Sequence, residues 1–249
     1  MHIDKTFEKI KIKRISDYKR DLKFLKAFQQ LNNLCVRKRY TYNFSWLGIP
    51  VIQYPSDLIS IQELIYLKKP DLIIETGIAR AGSLIFYSTI LNYYNKKSKV
   101  LGIDVDIRMH AKNAIRSHSI KNIITIEGSS LDKNVKKKIE KITKNFNKII
   151  VILDSVHTHD HVLNELNFYS KFIKKNLYIV VCDTTPNYAD AITLNFIKKN
   201  YKFNLSKKNN ARSAIKKFLL SNKNFKIDKY FNYHSLLTNC RDGFLKRIK

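Results

Sequence analysis

From residue 70 onward, short apolar runs alternate with stretches of helical periodicity. DLIIE (71–75), KVLGIDVD (99–106), NIITIEG (122–128), KIIVILD (148–154) and LYIVVCD (177–183) read as strands, apolar on both faces as burial on both sides requires. Between them SLIFYSTILNYY (83–94), residues 111–118, DKNVKKKIEKI (132–142) and HDHVLNELNFYSKFI (159–173) read as helices. Strand, helix, strand repeated in this way predicts an α/β fold with a mostly parallel central sheet and helices on both faces.

The pattern weakens beyond Asp183. A polar loop, TTPNYADA, leads to a helix near ITLNFIKKN, and a second polar stretch, NLSKKNNARS, precedes the helix AIKKFLLSN. The tail, FKIDKYFNYHSLLTNCRDGFLKRI, reads as short strands with a turn at Asp242-Gly243, an antiparallel pair closing the sheet edge. Upstream, the first forty or so residues are helical and basic, with Leu22, Leu25, Phe28 and Leu31 at three-residue spacing. A loop over 42–57, marked by Gly48, Pro50 and Pro55, follows. Ser56 or Asp57 is expected to cap the next helix, whose apolar stripe is Leu58, Ile61 and Ile65. The division expected is a helical leader over 1–45 and one α/β domain over 46–249.

Composition adds little that changes this picture. The four prolines and six glycines argue against long linkers. The net charge of +27 is mostly lysine, spread along the whole chain in an Asn- and Ile-rich background. That spread reads as a solvated basic surface, with nucleic acid not expected as a partner and peripheral contact with an anionic membrane the alternative. Cys35, Cys182 and Cys240 have no framework spacing, which suits reduced thiols. With no apolar run fit for a signal peptide or a membrane span, a cytoplasmic location is expected.

In open α/β sheets ligands bind beyond the carboxyl ends of the strands, so the candidate chemistry is read there. The first end, from Glu75 through Gly77, Ala79, Arg80, Gly82 and Ser83, has glycines that let a ligand approach the backbone, but neither dinucleotide spacing nor a P-loop lysine. Glu75 suits a cationic amino group, reached through water. At the second end Asp104 is the first choice and Asp106 the second for accepting ribose hydroxyls, Asp104 lying some 27 residues after Gly77. A helix cap is the other role open to Asp106. At the third, Gly128, Ser129 and Ser130 are small and polar enough for an adenine edge, and Asp132 suits a helix cap.

The fourth end is the richest. Asp154, Ser155, His157, His159, Asp160 and His161 follow one strand, with three of the seven histidines within five residues. Asp154 suits a hard cation such as magnesium, and a histidine is the natural base for a hydroxyl proton. His157 and His161 would face one site if the helix had already begun. His157, His159 and Asp160 are the catalytic candidates, and Asp154 and Ser155 cofactor contacts. The fifth end is Cys182-Asp183; Asp154 and Asp183 on adjacent strand tips would repel unless a cation or proton lay between them.

The runs QYPSDLISIQELIYLKKPDLIIETGIARAGSLIFYS, GIDVDIR, IEGSSLD, LDSVHTHDHVLNEL and NNARSAIKKFL, with the closing GFLKR, resemble the cephalosporin hydroxylase / rhamnosyl O-methyltransferase family from about Trp46 to Arg247. The resemblance implies a Rossmann-like class I methyltransferase fold, S-adenosylmethionine, magnesium, and a small-molecule or glycan acceptor methylated on a sugar hydroxyl, as in lipopolysaccharide or surface-polysaccharide synthesis. It places Glu75, Gly77, Asp104 and Ser130 along the cofactor, and Asp154 and Asp183 on the metal. Where the family usually has a glutamate before the second metal carboxylate, this chain has Cys182, a poor magnesium ligand that stands as the third metal candidate beside Asp154 and Asp183, and Val156 replaces a usually acidic residue. By analogy with catechol-type metal-dependent O-methyltransferases, the base position is His157. A homo-oligomer is a further expectation. The alternatives to this reading are an RNA-directed methyltransferase and a non-catalytic assembly protein on the same fold.

Overall fold

The computed structural model describes residues 4–118 and 121–249; the first three residues of the expected leader lie outside them. The elements run α1 (Lys5–Tyr18), α2 (Leu22–Arg37), β1 (Ser45–Trp46), β2 (Ile49–Pro50), α3 (Pro55–Lys68), β3 (Leu72–Thr76), α4 (Gly82–Tyr94), β4 (Lys99–Asp104), α5 (Met109–Ser117) and β5 (Ile123–Glu127). They continue with α6 (Lys133–Thr143), β6 (Ile149–Leu153), α7 (His159–Tyr169), β7 (Tyr178–Val181), α8 (Ala191–Asn200), α9 (Ala211–Ser221), β8 (Phe225–Ile227), α10 (Lys229–His234) and β9 (Phe244–Arg247).

Seven strands form one sheet in the order β5-β4-β3-β6-β7-β9-β8. The first five pair in parallel, and β9 joins β7 and β8 antiparallel. This is the α/β architecture read from the alternation, including its antiparallel edge. Alternate residues of each strand go to opposite layers. Ile73, Ile150, Ile152 and Val180 pack with Ile61, Leu64 and Leu84 of α3 and α4. Ile74, Val151, Leu153 and Val181 pack with Val162, Leu166, Ile215 and Phe218 of α7 and α9. The strand order reverses between β3 and β6, which opens a crevice at their carboxyl ends.

Local readings differ from the structure at four places. Neither Ser56 nor Asp57 caps α3: the helix begins at Pro55 with no side-chain cap. Asp57 is buried and accepts from the Thr238 hydroxyl and, at 2.8 Å, the Asn239 N–H. Asp106 does not cap α5: the capping position before Met109 is Arg108, which makes no side-chain cap bond. The tail contains α10, a helix where strands were expected, started by Asp228 accepting from the Tyr230 N–H at 2.9 Å. The apolar residues of α2 do not form one stripe, since Leu22 is 76% and Leu31 44% exposed. A three-residue step drifts by roughly 60° around a helix, so the four positions wrap around it, and Asn32, Asn33 and Cys35 take the buried places. Asp132 does cap α6, accepting from the N–H groups of Asn134 and Val135.

The leader is tied to the far end of the chain. Gln29 donates to the Tyr188 carbonyl at 3.2 Å and accepts from Arg241 at 2.6 Å, and Arg37 donates to the Thr193 hydroxyl at 2.6 Å. Among the described residues no helix is long and apolar enough to cross a membrane.

Candidate active site

A cavity of about 340 Å³ occupies the crevice where the strand order reverses. Its β3 wall is the turn from Gly77 to Ser83. Gly77 has φ +92°, and a β-carbon there would stand 2.1 Å from the Asp154 carbonyl oxygen, so only glycine fits. Ala79 and Ala81 also lie at positive φ, 45° and 68°, a conformation that costs an alanine roughly 1–2 kcal/mol. The Asp104 carboxylate holds this turn: its Oδ2 accepts from the Ile78 N–H at 2.7 Å and the Ala79 N–H at 3.3 Å. A carboxylate has lone pairs to spare for further donors, so Asp104 can anchor the turn and still receive hydroxyls.

Of the residues expected along a cofactor, Gly77, Ala79, Arg80, Gly82 and Ser83 line the cavity from β3, and Asp104 and Asp106 from β4. Gly128, Ser129 and Ser130 line it from β5, and Asp154 and Ser155 from β6. Glu75 does not. It is fully buried behind the turn, accepting from Ser83 Oγ at 2.7 Å and Tyr87 OH at 3.0 Å, and burial, reinforced by the Asp154 charge, pushes its carboxyl up to about 8.

At the β6 and β7 tips, ligand atoms of Asp154, His157 and Asp183 all lie within 4.8 Å of one another. His157 Nε2 is 3.0 Å from Asp183 Oδ2. Burial, and then the Asp183 charge, push the Asp154 carboxyl up to about 6. Two carboxylates and an imidazole converging on one point suit a divalent cation. Cys182, expected as a third ligand, lies outside this group: its side chain turns into the α3–α4 layer, where Cys240 Sγ donates to it at 3.3 Å. That hydrogen bond, and then burial, raise the Cys182 thiol far above its ordinary range.

The other histidine-loop candidates separate because α7 starts at His159, after His157. His159 Nδ1 faces Ser213 Oγ of α9 at 2.8 Å, and Asp160 is exposed in the first turn. His161 lines the large cavity beside Ser130 and Ser155, so it and His157 serve different corners.

Three residues outside the strand-tip candidates complete the floor. Gln53 Nε2 donates to Asp154 Oδ2 at 3.3 Å. Asn239 and Tyr201 wall two smaller cavities, of 50 and 40 Å³, that meet at Asp183. The first of these shares Ile52, Gln53 and Asp154 with the large cavity. A continuous series of spaces thus runs past the Asp154–His157–Asp183 group.

The profile of the rhamnosyl O-methyltransferase/CmcI family matches residues 38–248. The rhamnosyl O-methyltransferase of Mycobacterium tuberculosis (strain H37Rv) is 29% identical over 156 residues, 60% of this chain and 62% of that protein. This chain therefore spans a little over three-fifths of that relative's length. A structure of CmcI with Mg and SAM superposes with TM-score 0.59 at 16% identity, covering 84% of this chain and 78% of that one. An O-methyltransferase from Bacillus cereus in complex with SAH gives TM-score 0.51 at 13% identity, covering 81% and 80%. The two structural likenesses speak to the fold, which is Rossmann-like and of the methyltransferase type. By sequence, the chain belongs to the rhamnosyl O-methyltransferase/CmcI family.

Proposed function

We propose that this chain transfers a methyl group from S-adenosylmethionine to a sugar hydroxyl, on a surface glycan, a lipopolysaccharide or a related small molecule, with the help of a divalent cation such as Mg2+. The observation that carries this reading is the shared wall at Asp154, where the large cavity meets the smaller cavities beside Asp183 and His157. The large cavity has the size of a small-ligand site, the turn from Gly77 to Ser83 along one wall, where Gly77 and Gly82 make room for the Asp154 and Pro50 backbones and not for a ligand, and Asp104 at the ribose position. Family membership and the rhamnosyl O-methyltransferase relatives support the sugar acceptor.

The donor set fits a hard cation held by Asp154 and Asp183; Cys182 lines the same small cavity but stands outside that group of ligand atoms. When bound, the cation supplies positive charge beside the reacting hydroxyl, and the sulfonium nucleotide supplies the methyl group. The chain's own groups do the rest. Asp183 Oδ2 accepts from His157 Nε2 at 3.0 Å and orients the ring, which leaves Nδ1 as the ring nitrogen that takes the hydroxyl proton. Gln53 holds the Asp154 carboxylate in place. Thr41, Tyr42 and Tyr201, around the smaller cavities, form the acceptor side, so the end of the expected leader takes part in substrate binding.

The large cavity's wall carries Arg80 and Arg108 against Asp104, Asp106 and Asp154, a balance ill suited to a polyanion such as RNA. The open cavity also disfavours a purely structural role. Titration with S-adenosylhomocysteine in a calorimeter tests the proposal. Binding in the micromolar range is expected, weakened in Asp104→Ala; absence of binding to the native chain would remove the methyltransferase reading.

A further inference from the structure

Behind the β5 and β6 tips lies a carboxylate that the mechanism does not use. Glu165 of α7 is 0% exposed. Its Oε1 accepts from Ser130 Oγ at 2.7 Å and from Ser155 Oγ at 3.0 Å. His161 Nε2, one helical turn back, is 3.4 Å from the same oxygen and 3.3 Å from each serine oxygen. The second carboxylate oxygen, Oε2, is buried with no hydrogen-bond partner among the described residues. A buried carboxylate so sparsely satisfied costs stability, which calls for a compensating role.

The polarity of these bonds supplies one. A serine hydroxyl has one proton and two lone pairs. Ser130 and Ser155 each commit that proton to Glu165, inward and away from the cavity they line. Surrounded by oxygens that only accept, His161 Nε2 carries a proton and donates it to one of them. At least one lone pair on each serine oxygen is left for the cavity. At Ser130 and Ser155 the cavity is therefore offered lone pairs in place of hydroxyl protons, which complements a group with N–H bonds to give.

We infer that Glu165 is a positioning residue that makes the cavity selective for a 6-aminopurine. The exocyclic amino group of adenine donates where the 6-oxo group of hypoxanthine or guanine can only accept. The inference rests on the adenosyl-cofactor reading above, and it adds the residue that sets base preference. Sites that hydrogen-bond an N–H group reject analogues lacking it strongly, because their own polar groups are then left unpaired.

The experiment is calorimetric titration with two probes, S-adenosylhomocysteine and S-inosylhomocysteine, which differ at that position. The native chain should prefer the adenosyl compound by at least about tenfold. In Glu165→Met the serine hydroxyls are free to turn outward, and the preference should shrink to within about threefold, with the folded state checked by circular dichroism. Should that variant fail to fold, the Ser130→Ala/Ser155→Ala double variant reads the same loss of preference. Equal binding of both probes to the native chain overturns the inference and leaves the cofactor reading standing. An unchanged preference in a folded variant also overturns it. Binding of neither probe to the native chain overturns both readings.

Discussion

His157 Nε2 and Asp183 Oδ2 meet at 3.0 Å, although one residue precedes α7 and the other follows β7. Asp183 reaches this position from a left-handed backbone, φ 52°, a conformation that is uncommon away from glycine and that collects at functional sites. The pair joins the putting-in-place of a base to the proposed cation site. His157→Ala should therefore lower the single-turnover methylation rate of a synthetic α-rhamnoside by roughly 10²–10⁴-fold, while S-adenosylhomocysteine binding stays within about twofold of native. Undiminished turnover would remove His157 as the base.

Asp154 carries opposite signs with and without a cation. Burial and the Asp183 charge raise its carboxyl from 3.8 to about 6, so the folded chain holds a proton that the unfolded chain releases. Stability on this account is complete below the unfolded value and falls as pH rises through about 6. Asp154→Asn should raise the Tm of cation-free protein at neutral pH. It should also abolish the Tm increase that Mn2+ or Mg2+ gives the native chain. A variant that loses Tm without cation, or still responds to it, would contradict the assignment.

Gly77→Ala should be severe. The new β-carbon would meet the Asp154 carbonyl, and the positive φ adds strain. A loss of about 2 kcal/mol or more in urea denaturation is expected, along with loss of S-adenosylhomocysteine binding. A stable variant that binds would mean that the β3 turn relaxes readily.

Glu75 sets a second pH dependence, remote from ligands. Its carboxyl is raised from 4.5 to about 8 by burial and then by Asp154. The folded state again holds the extra proton, so stability is full below the unfolded value and is lost as pH rises through about 8. Glu75→Gln should flatten the fall in Tm between about pH 5 and pH 9. Identical profiles for the two proteins would rule Glu75 out as the source.

Tyr201→Ala tests the acceptor side. Tyr201 walls both small cavities and lies outside the large one. The KM for the rhamnoside should rise roughly tenfold with nucleotide affinity unchanged; an unaltered KM would place the acceptor elsewhere.

The sequence announced most of the frame because a strand buried on both faces needs an unbroken apolar run, as in β3, β6 and β7 and along the interior of β4; β5 lies at the sheet edge and is only partly buried, so the expected burial on both faces fails there. It announced the chemistry at strand tips for the same reason: Asp104, Asp154 and Asp183 each end or follow a run of that kind. What stayed hidden depends on contacts between distant segments. Gln53, Asn239 and Glu165 follow no strand tip in the sequence, and only folding brings them to the tips of β6 and β7 or behind them. Cys240 likewise decides where Cys182 points. His159 and His161 are two residues apart, so helical geometry sends them to different neighbours, Ser213 and Ser130, a separation that hinged on the first residue of α7. The six-residue α10, rich in aromatic residues, has too few turns to show a helical period.

The wall shared at Ile52, Gln53 and Asp154 has a pharmacological consequence. A single bisubstrate molecule, an adenosyl group tethered to a sugar, needs only a short linker to occupy both chambers. Once one half is seated, the other faces an effective concentration in the millimolar range. Such a conjugate should inhibit far more tightly than either fragment alone.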